Sequence, residues 1–266
     1  MFEYISGKDN PKIKTTAKLI ASSKYRRETG LFVLEGMRLC CDAAQNGIVL
    51  KMLFITGDAV EHYSDEVAFL ADNAEKSYIV DNNVFAKISD TVSPQGIIAV
   101  CARPDIDGTT EGISSNGRYI ACENVSDPAN LGTISRTAEA LGADGMILIG
   151  SCCDPFGGKA QRAAMGSLLR LPLYRFDSIT NAGEKLHERS VKLFAAVVDT
   201  DATPITDIRF SNGSAVVIGN EGNGLTDEAK RICDQRITIP IKGRAETFNA
   251  AAAASILLWE LLKAGE

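Results

Sequence analysis

The stretch Gly219-Asn220-Glu221-Gly222-Asn223-Gly224 sets a carboxylate in the middle of a glycine-rich turn, directly after the β-forming run Ala215 to Ile218. Its glycines lack the G-x-G-x-x-G spacing of a dinucleotide site, and no Gly-Lys-Ser/Thr follows to cradle nucleotide phosphates. Glu221 would repel a pyrophosphate and suits a cationic or hydroxyl-rich ligand; a glycine turn that merely ends a central strand would read the same. The chain has only two histidines, His62 and His187, each in a polar, helix-like stretch that points to the surface, so any catalysis must use other groups. Seven cysteines (Cys40, Cys41, Cys101, Cys122, Cys152, Cys153 and Cys233) include two adjacent pairs but no CxxC spacing and no histidine cluster. That pattern argues against a metal or disulfide framework and reads as buried thiols in a reducing cytosol.

The elements around the turn would position it. A helix is expected from Leu225, with acidic residues of Thr226-Asp227-Glu228 in its first turn. A second apolar run, Ile237-Thr238-Ile239-Pro240-Ile241, leads through a polar loop into an Ala-rich helix from Thr247 to Lys263. Ligands of α/β proteins bind at the carboxyl ends of strands, which places the site in this last third of the chain. Upstream, a strand at Tyr119 to Cys122 precedes a helix that Asn130 can cap; Leu131, Ile134, Ala138 and Leu141 form its apolar face, and Arg136 falls off it. Further strands are expected at Met146 to Ile149, Pro172 to Tyr174 and Lys192 to Val198. One helix carries Lys159 and Arg162 a turn apart, and another runs from Ala182 to Arg189. Before Arg103, strands at Leu31 to Leu34, Val49 to Ile55, Ser77 to Val80 and Gly96 to Ala102 alternate with helices at Glu35 to Ala44, Ser64 to Ala74 and Asn82 to Ile88. This is an α/β unit of about 100 residues, enough for its own core. Between the units, Arg103 to Gly117 is rich in Gly, Ser, Thr and Asp and reads as a linker.

With 266 residues, 45% hydrophobic and 23% charged, the composition is that of a soluble globular protein. No apolar run approaches the roughly 18 to 20 residues of a membrane span, and the first residues carry no apolar segment of a secretory signal, so a cytoplasmic protein is expected. A net charge of −6 speaks against strong nonspecific nucleic-acid binding. Its distribution is uneven, however. Lys8, Lys12, Lys14, Lys18, Lys24, Arg26 and Arg27 stand against Asp9 alone. Asn10-Pro11 opens a helix there, with Ile13, Ala17 and Ile20 on its apolar side. On an otherwise acidic chain this stretch reads as a phosphate-tracking patch rather than a merely solvated face.

Three segments occur in order: Asn130-Leu131-Gly132 through Arg136-Thr137-Ala138; Val217-Ile218-Gly219-Asn220-Glu221-Gly222-Asn223-Gly224-Leu225; and Ile239-Pro240-Ile241 with Glu246-Thr247-Phe248-Asn249 and the Ala-rich helix. Lys159-Ala160-Gln161-Arg162 and Met165-Gly166-Ser167-Leu168 lie between them. Together these resemble the motifs of the SpoU (TrmH-type) RNA ribose methyltransferases of the SPOUT superfamily, over about 118 to 266. The N-terminal unit is similar to the substrate-binding domain many members carry, which resembles a small RNA-binding ribosomal protein. One such motif is weak; three in order are specific.

The resemblance implies an RNA substrate-binding domain over 1–102, a linker over 103–117 and a SPOUT α/β domain with a deep trefoil knot over 118–266. It also implies a homodimer packed through that domain, and S-adenosylmethionine bound by Gly219, Ile239, Phe248, Ile241 and Val198. The reaction would be methyl transfer to a ribose 2′-hydroxyl, a poor nucleophile that must be polarised and aligned. Arg136 would clamp a phosphate and stabilise charge rather than abstract the proton, since a guanidinium is too weak an acid to give up its own proton and serve as a base, and the proton acceptor is unassigned. Asn130 and Asn249 would orient it, Glu221 would pair with it or complement the sulfonium, and Thr247 would supply a hydroxyl. Lys12, Lys14, Lys18, Arg26, Arg27, Lys159 and Arg162 would meet RNA. Members usually carry serine at 247, 251 and 164, where this chain has Thr247, Ala251 and Ala164. Ribosomal RNA is the favoured substrate. The alternatives are transfer RNA or a catalytically silent RNA-binding assembly factor; a nicotinamide-dependent oxidoreductase is disfavoured by the glycine spacing.

Overall fold

The chain, described over residues 2–263 in a computed structural model, alternates strands and helices in two units, Met1–Asp105 with Phe156–Leu169, and Ile106–Pro155 with Arg170–Glu266. The first unit runs β1 (Phe2–Ile5), α1 (Pro11–Ala21), α2 (Ser23–Thr29), β2 (Leu31–Glu35), α3 (Met37–Gln45), β3 (Leu50–Thr56), α4 (Gly57–His62), α5 (Ser64–Asn73), β4 (Ser77–Val80), α6 (Asn82–Phe85) and β5 (Ile97–Ala102). Its sheet is mixed, in the order β1-β4-β3-β5-β2: β4 pairs parallel with β1 and β3, and β5 pairs antiparallel with β3 and β2. The apolar run of β5 signals a strand covered on both faces, and Ile97 through Cys101 are fully buried. Each such Ile or Val contributes about 1.5–3 kcal/mol by leaving water. Ile13 and Leu19 of α1 close the same core over Phe54 and Tyr78. Asn10 caps α1 by accepting from Lys12 N at 2.9 Å, with Pro11 in the first turn. Three elements here escape sequence periodicity: β1, α2 and α4 hold 4, 7 and 6 residues, too few to show a repeat.

The second unit contains β6 (Arg118–Glu123), α7 (Pro128–Ala140) and β7 (Gly145–Ile149). After these, α8 (Gly158–Ala164) belongs to the first unit, where Phe156 packs its ring 5.1 Å from that of Phe32. Then follow α9 (Ser167–Arg170), β8 (Leu173–Phe176), α10 (Ile179–Glu188), β9 (Lys192–Ala196), β10 (Thr203–Pro204), β11 (Ser214–Ile218), α11 (Asp227–Ile232), β12 (Gln235–Thr238) and α12 (Ala250–Lys263). All pairings in its sheet are parallel, in the order β10-β12-β9-β11-β6-β7-β8. The α/β class is thus as the sequence indicated; the first unit's sheet is mixed and the second's is parallel. The stretch 103–117 is not a free tether: Ile106 and Ile113 are buried, and the backbone exchanges hydrogen bonds with Arg175 at 2.7 Å on either side. Among the described residues no helix is long and apolar enough to cross a membrane.

Two helix starts differ from expectation for the same reason. α7 is capped by Asp127, whose Oδ1 accepts from Ala129 N at 2.9 Å with Pro128 next in line, so Asn130 lies inside the helix instead of capping it. α12 starts at Ala250, not Thr247, because Asn249 Oδ1 accepts from Ala251 N and Ala252 N at 2.9 and 3.2 Å and so ends the preceding loop.

Candidate active site

The carboxyl ends of β9, β11 and β12 meet α12 around a cleft of about 160 Å³. This is where open parallel sheets place their ligands. One wall is the loop Gly219 to Gly224, and a second carries Ile239, Ile241, Thr247 and Phe248. The end of β9 brings Val198, and α12 presents the small side chains of Ala250 and Ala253. All five residues expected at the cofactor (Gly219, Ile239, Phe248, Ile241 and Val198) therefore line one cleft.

The loop that forms its wall is closed on itself. Asn220 and Gly224 exchange backbone hydrogen bonds of 3.1 and 2.9 Å, and Gly224 takes the left-handed φ of 65° that favours glycine. At Gly219 the demand is space: an added Cβ would stand 2.1 Å from the carbonyl carbon of Gly224 and 2.3 Å from Leu225 N. The Asn220 side chain fills the loop from within. Its Oδ1 accepts from the N–H groups of Gly222 and Asn223 at 3.0 Å, and its Nδ2 donates to Asn124 O at 3.0 Å. Sequence reading missed Asn220; the signal available was an Asx-type residue placed two before a glycine in a turn.

Glu221 faces the N-terminus of α7. Its carboxylate accepts from Ser126 N at 3.2 Å, Ser126 Oγ at 3.1 Å, Asp127 N at 3.1 Å and Asn130 Nδ2 at 3.1 Å. Asn249 Nδ2 donates in turn to Asn130 Oδ1 at 3.1 Å. A relay of amides thus runs from the cap of α12 through α7 to the glycine loop, and it assigns each amide's orientation. Partial burial raises the Glu221 pKa, but hydrogen bonds from the Asn130 amide and from the backbone N–H groups of Glu221, Asp127 and Ser126 outweigh it and hold the carboxyl at about 2. A carboxyl depressed on folding contributes stability that is fully present above its unfolded pKa of about 4.3 and is lost as pH falls through the folded value. The tie between loop and α7 is therefore expected to survive at pH 4 and release between about pH 4 and 2. Carboxyl ¹³C shifts of Glu221 followed through acid titration would show this; a midpoint near the ordinary glutamate value would refute the tie.

Arg136 does not join this cluster. Asn130 and Arg136 are six positions apart, about 120° around a helix of 3.6 residues per turn, so they occupy different faces of α7. Arg136 is exposed, and the acceptor capacity of Glu221 is taken by Ser126, Asp127 and Asn130. Pairing of Glu221 with Arg136 and orientation of Arg136 by the two asparagines are thus both corrected: the asparagines orient Glu221. Thr247 is exposed at the cleft. Ala251 is buried in the first turn of α12, where its backbone N–H serves Asn249. Glu123, at the end of β6, was also missed. It is 3% exposed, and its carboxylate accepts from Thr226 N at 2.9 Å and Thr226 Oγ1 at 2.7 Å.

The expected RNA contacts divide. In the first unit Lys14 and Lys18 are exposed, the one paired with Asp9 at 2.8 Å and the other 4.0 Å above the Tyr25 ring. Lys12 is half-buried with its ammonium 5.2 Å from the Tyr78 ring, and Arg27 and Lys159 are exposed. Arg162 is half-buried and paired with Asp90 at 2.9 Å. Exposed pairs of this kind are worth at most about 1 kcal/mol, so phosphates can displace them. Arg26 is the exception. It is 6% exposed and its guanidinium donates to Leu19 O at 2.6 Å and Ile20 O at 3.1 Å, satisfying carbonyls at the end of α1, so it is removed from the patch. Burial lifts the pKa of Cys153 and of Cys233 to about 12, consistent with inert thiols, and no group of three or more His, Cys, Asp or Glu among the described residues could hold a metal ion.

Comparison with known proteins gives the family. Residues 117–259 match the model of the SpoU rRNA methylase family, and residues 10–99 that of the MRM3-like substrate binding domain. The chain is 30% identical over 261 residues, 97% of its length and 99% of the relative's, to the 23S rRNA (guanosine(2553)-2′-O)-methyltransferase RlmP of Bacillus subtilis. It resembles the AdoMet-bound rRNA methyltransferase from Sinorhizobium meliloti with a TM-score of 0.88 and 28% identity over 100% of this chain and 99% of that one. AviRb of Streptomyces viridochromogenes, a SpoU methyltransferase solved with AdoMet, matches with a TM-score of 0.85 and 25% identity over 96% and 97% of the two chains. A family model spanning more than half of the sequence, and a relative aligned along nearly all of both chains, establish that this chain belongs to the SpoU rRNA methylase family.

Proposed function

We propose that the protein transfers a methyl group from S-adenosylmethionine to a ribose 2′-hydroxyl of structured ribosomal RNA. The observation that carries the reading is the convergence of Gly219, Ile239, Ile241 and Phe248 on one cleft, beside a carboxylate held ionised by α7. The residues present fit the cofactor. Ile218, Ile239, Ile241 and Leu257 offer the apolar walls a purine ring needs, and at Gly219 the backbone leaves no room for a side chain. S-Adenosylmethionine supplies, when bound, a methyl group activated on a sulfonium. Gly219, Ile239, Ile241, Phe248 and Val198 hold it, and Glu221 complements the positive charge. Asn130 and Asn249 keep that carboxylate in place, and Thr247 offers a hydroxyl at the cleft. Arg136 clamps the phosphate beside the target ribose, so that the hydroxyl is aligned and developing charge is stabilised.

Residues 1–102, with the segment 156–169 that packs among them, serve as the RNA substrate-binding domain, 103–117 as a packed linker, and the rest of 118–266 as the methyltransferase domain with its trefoil knot. Lys12, Lys14, Lys18, Arg27, Lys159 and Arg162 track the phosphate backbone. Two copies pair through the second domain, a reading supported by the only tryptophan, Trp259, standing 58% exposed on α12. The setting is the cytoplasm. Ribosomal RNA is the substrate class because the Bacillus subtilis relative is named for a 23S rRNA ribose.

Mass-spectrometric mapping of 2′-O-methylated nucleotides in ribosomal and transfer RNA, with and without the gene, tests the reading. The expected result is one ribosomal methyl group that disappears on deletion and returns with the wild-type gene. A missing methyl group in transfer RNA would move the substrate, and no difference in either would leave RNA binding without transfer.

A further inference from the structure

The five residues from Glu123 to Asp127 grip the glycine loop at both feet. Upstream, the carbonyl of Asn124 accepts from Asn220 Nδ2 at 3.0 Å, while Ser126 N and Asp127 N donate to Glu221. Downstream this segment holds the loop through Glu123, beside the Asn220–Gly224 backbone pair. The two carboxylate oxygens of Glu123 meet two donors of one residue, Thr226 N and Thr226 Oγ1, at the point where the loop passes into α11. Thr226 Oγ1 accepts at the same time from Ala229 N at 3.1 Å, so one hydroxyl both caps α11 and donates to Glu123. A carboxylate at 3% exposure is costly to keep unless its position matters or its hydrogen bonds are strong, and charge-assisted bonds to a fixed pair of donors are of the strong kind. The span it fixes ends at Gly224 and Leu225, whose backbone is the surface Gly219 packs against, and Gly224 itself lines the cleft.

We propose that Glu123 is a positioning residue that sets the downstream foot of the glycine loop, and with it the width of the cofactor cleft. It touches neither substrate nor cofactor and acts through Thr226. The inference rests on the methyltransferase reading above. Without Glu123 the upstream foot stays anchored, so Glu221 and α7 keep their tie, while the Asn220–Gly224 backbone pair is left without the support of Thr226 in holding Gly224 against Gly219. The expected loss is therefore in cofactor affinity rather than in turnover at saturation.

The test compares wild type, Glu123→Gln and Glu123→Ala by calorimetric titration with S-adenosylmethionine without RNA, and by steady-state kinetics with the RNA substrate. Glu123→Ala is expected to weaken S-adenosylmethionine binding about 30-fold and raise its KM in step, with kcat within about threefold, while Glu123→Gln, which keeps an acceptor for Thr226 N, recovers most of the loss. Thr226→Ala should weaken binding too, and adding it to Glu123→Ala should cost little more, because residues acting as one unit are not additive. Simple destabilisation would lower the number of binding-competent molecules and leave the affinity of the remainder unchanged, which overturns the proposal. So would a Glu123→Ala affinity within twofold of wild type, or full additivity with Thr226→Ala. If wild-type protein itself fails to bind S-adenosylmethionine, the reading beneath the proposal falls and the proposal with it.

Discussion

Gly219→Ala protein is expected to lose S-adenosylmethionine binding by 100-fold or more, about 2.7 kcal/mol, while Gly222→Ala protein binds within a few fold of wild type. The two glycines sit three apart in one loop and look alike in the sequence. The added methyl at 219 would lie 2.1 to 2.3 Å from the backbone of Gly224 and Leu225, and backbone cannot swing aside as the end of a side chain can. The loop would have to open, moving the cleft wall by more than an ångström and straining the Asn220–Gly224 closure. At 222 the nearest atom is Asn220 Oδ1 at 3.6 Å, ordinary contact. Isothermal titration of both variants, with circular dichroism to verify folding, measures the difference. Equal affinities would mean that the loop does not form the cofactor wall.

The second large effect is expected at Arg136. Arg136→Ala should lower kcat by about 10²- to 10³-fold, the usual cost of removing one preorganised group that stabilises transition-state charge. Cofactor affinity and thermal stability should not change. An exposed arginine supports little of the fold, and substitutions at such positions stay within about 0.5 kcal/mol. A phosphate contact would also flatten the salt dependence of RNA binding, by about one unit of slope. Methyl transfer within threefold of wild type would remove Arg136 from the mechanism. A loss matched by a fall in Tm would assign it a structural role instead. Arg136→Lys separates charge from shape: a point charge keeps phosphate attraction but not the planar fork of a guanidinium.

Family, fold class and the course of most strands were legible in the sequence because they rest on order and period. Ser77 to Val80 is a strand in both readings, and Leu31, Ser64 and Asn82 begin their elements as expected. What eluded it depends on the direction of side chains in three dimensions. Asn130 and Asp127 are equally good caps by type; Pro128 after Asp127 was the clue that decides between them. Arg26 belongs to a run of cations, and nothing in that run announces that its guanidinium turns inward to the end of α1. Pairing Glu221 with the nearest cation in the motifs ignored helical geometry, by which residue 136 cannot share a face with residue 130. Glu123 carries no signal at all, being one more residue at the end of an apolar run.

The first unit is assembled from two stretches of chain, Met1–Asp105 and Phe156–Leu169. Its modularity is therefore not that of a bead on a string. A gene truncated after codon 105 would encode the sheet without Phe156, baring the fully buried ring of Phe32, and without Arg162, the partner of Asp90. Recombination that exchanged the N-terminal segment between relatives would have to carry a short cassette from the middle of the downstream gene as well. The two units of this protein are in that sense inherited together.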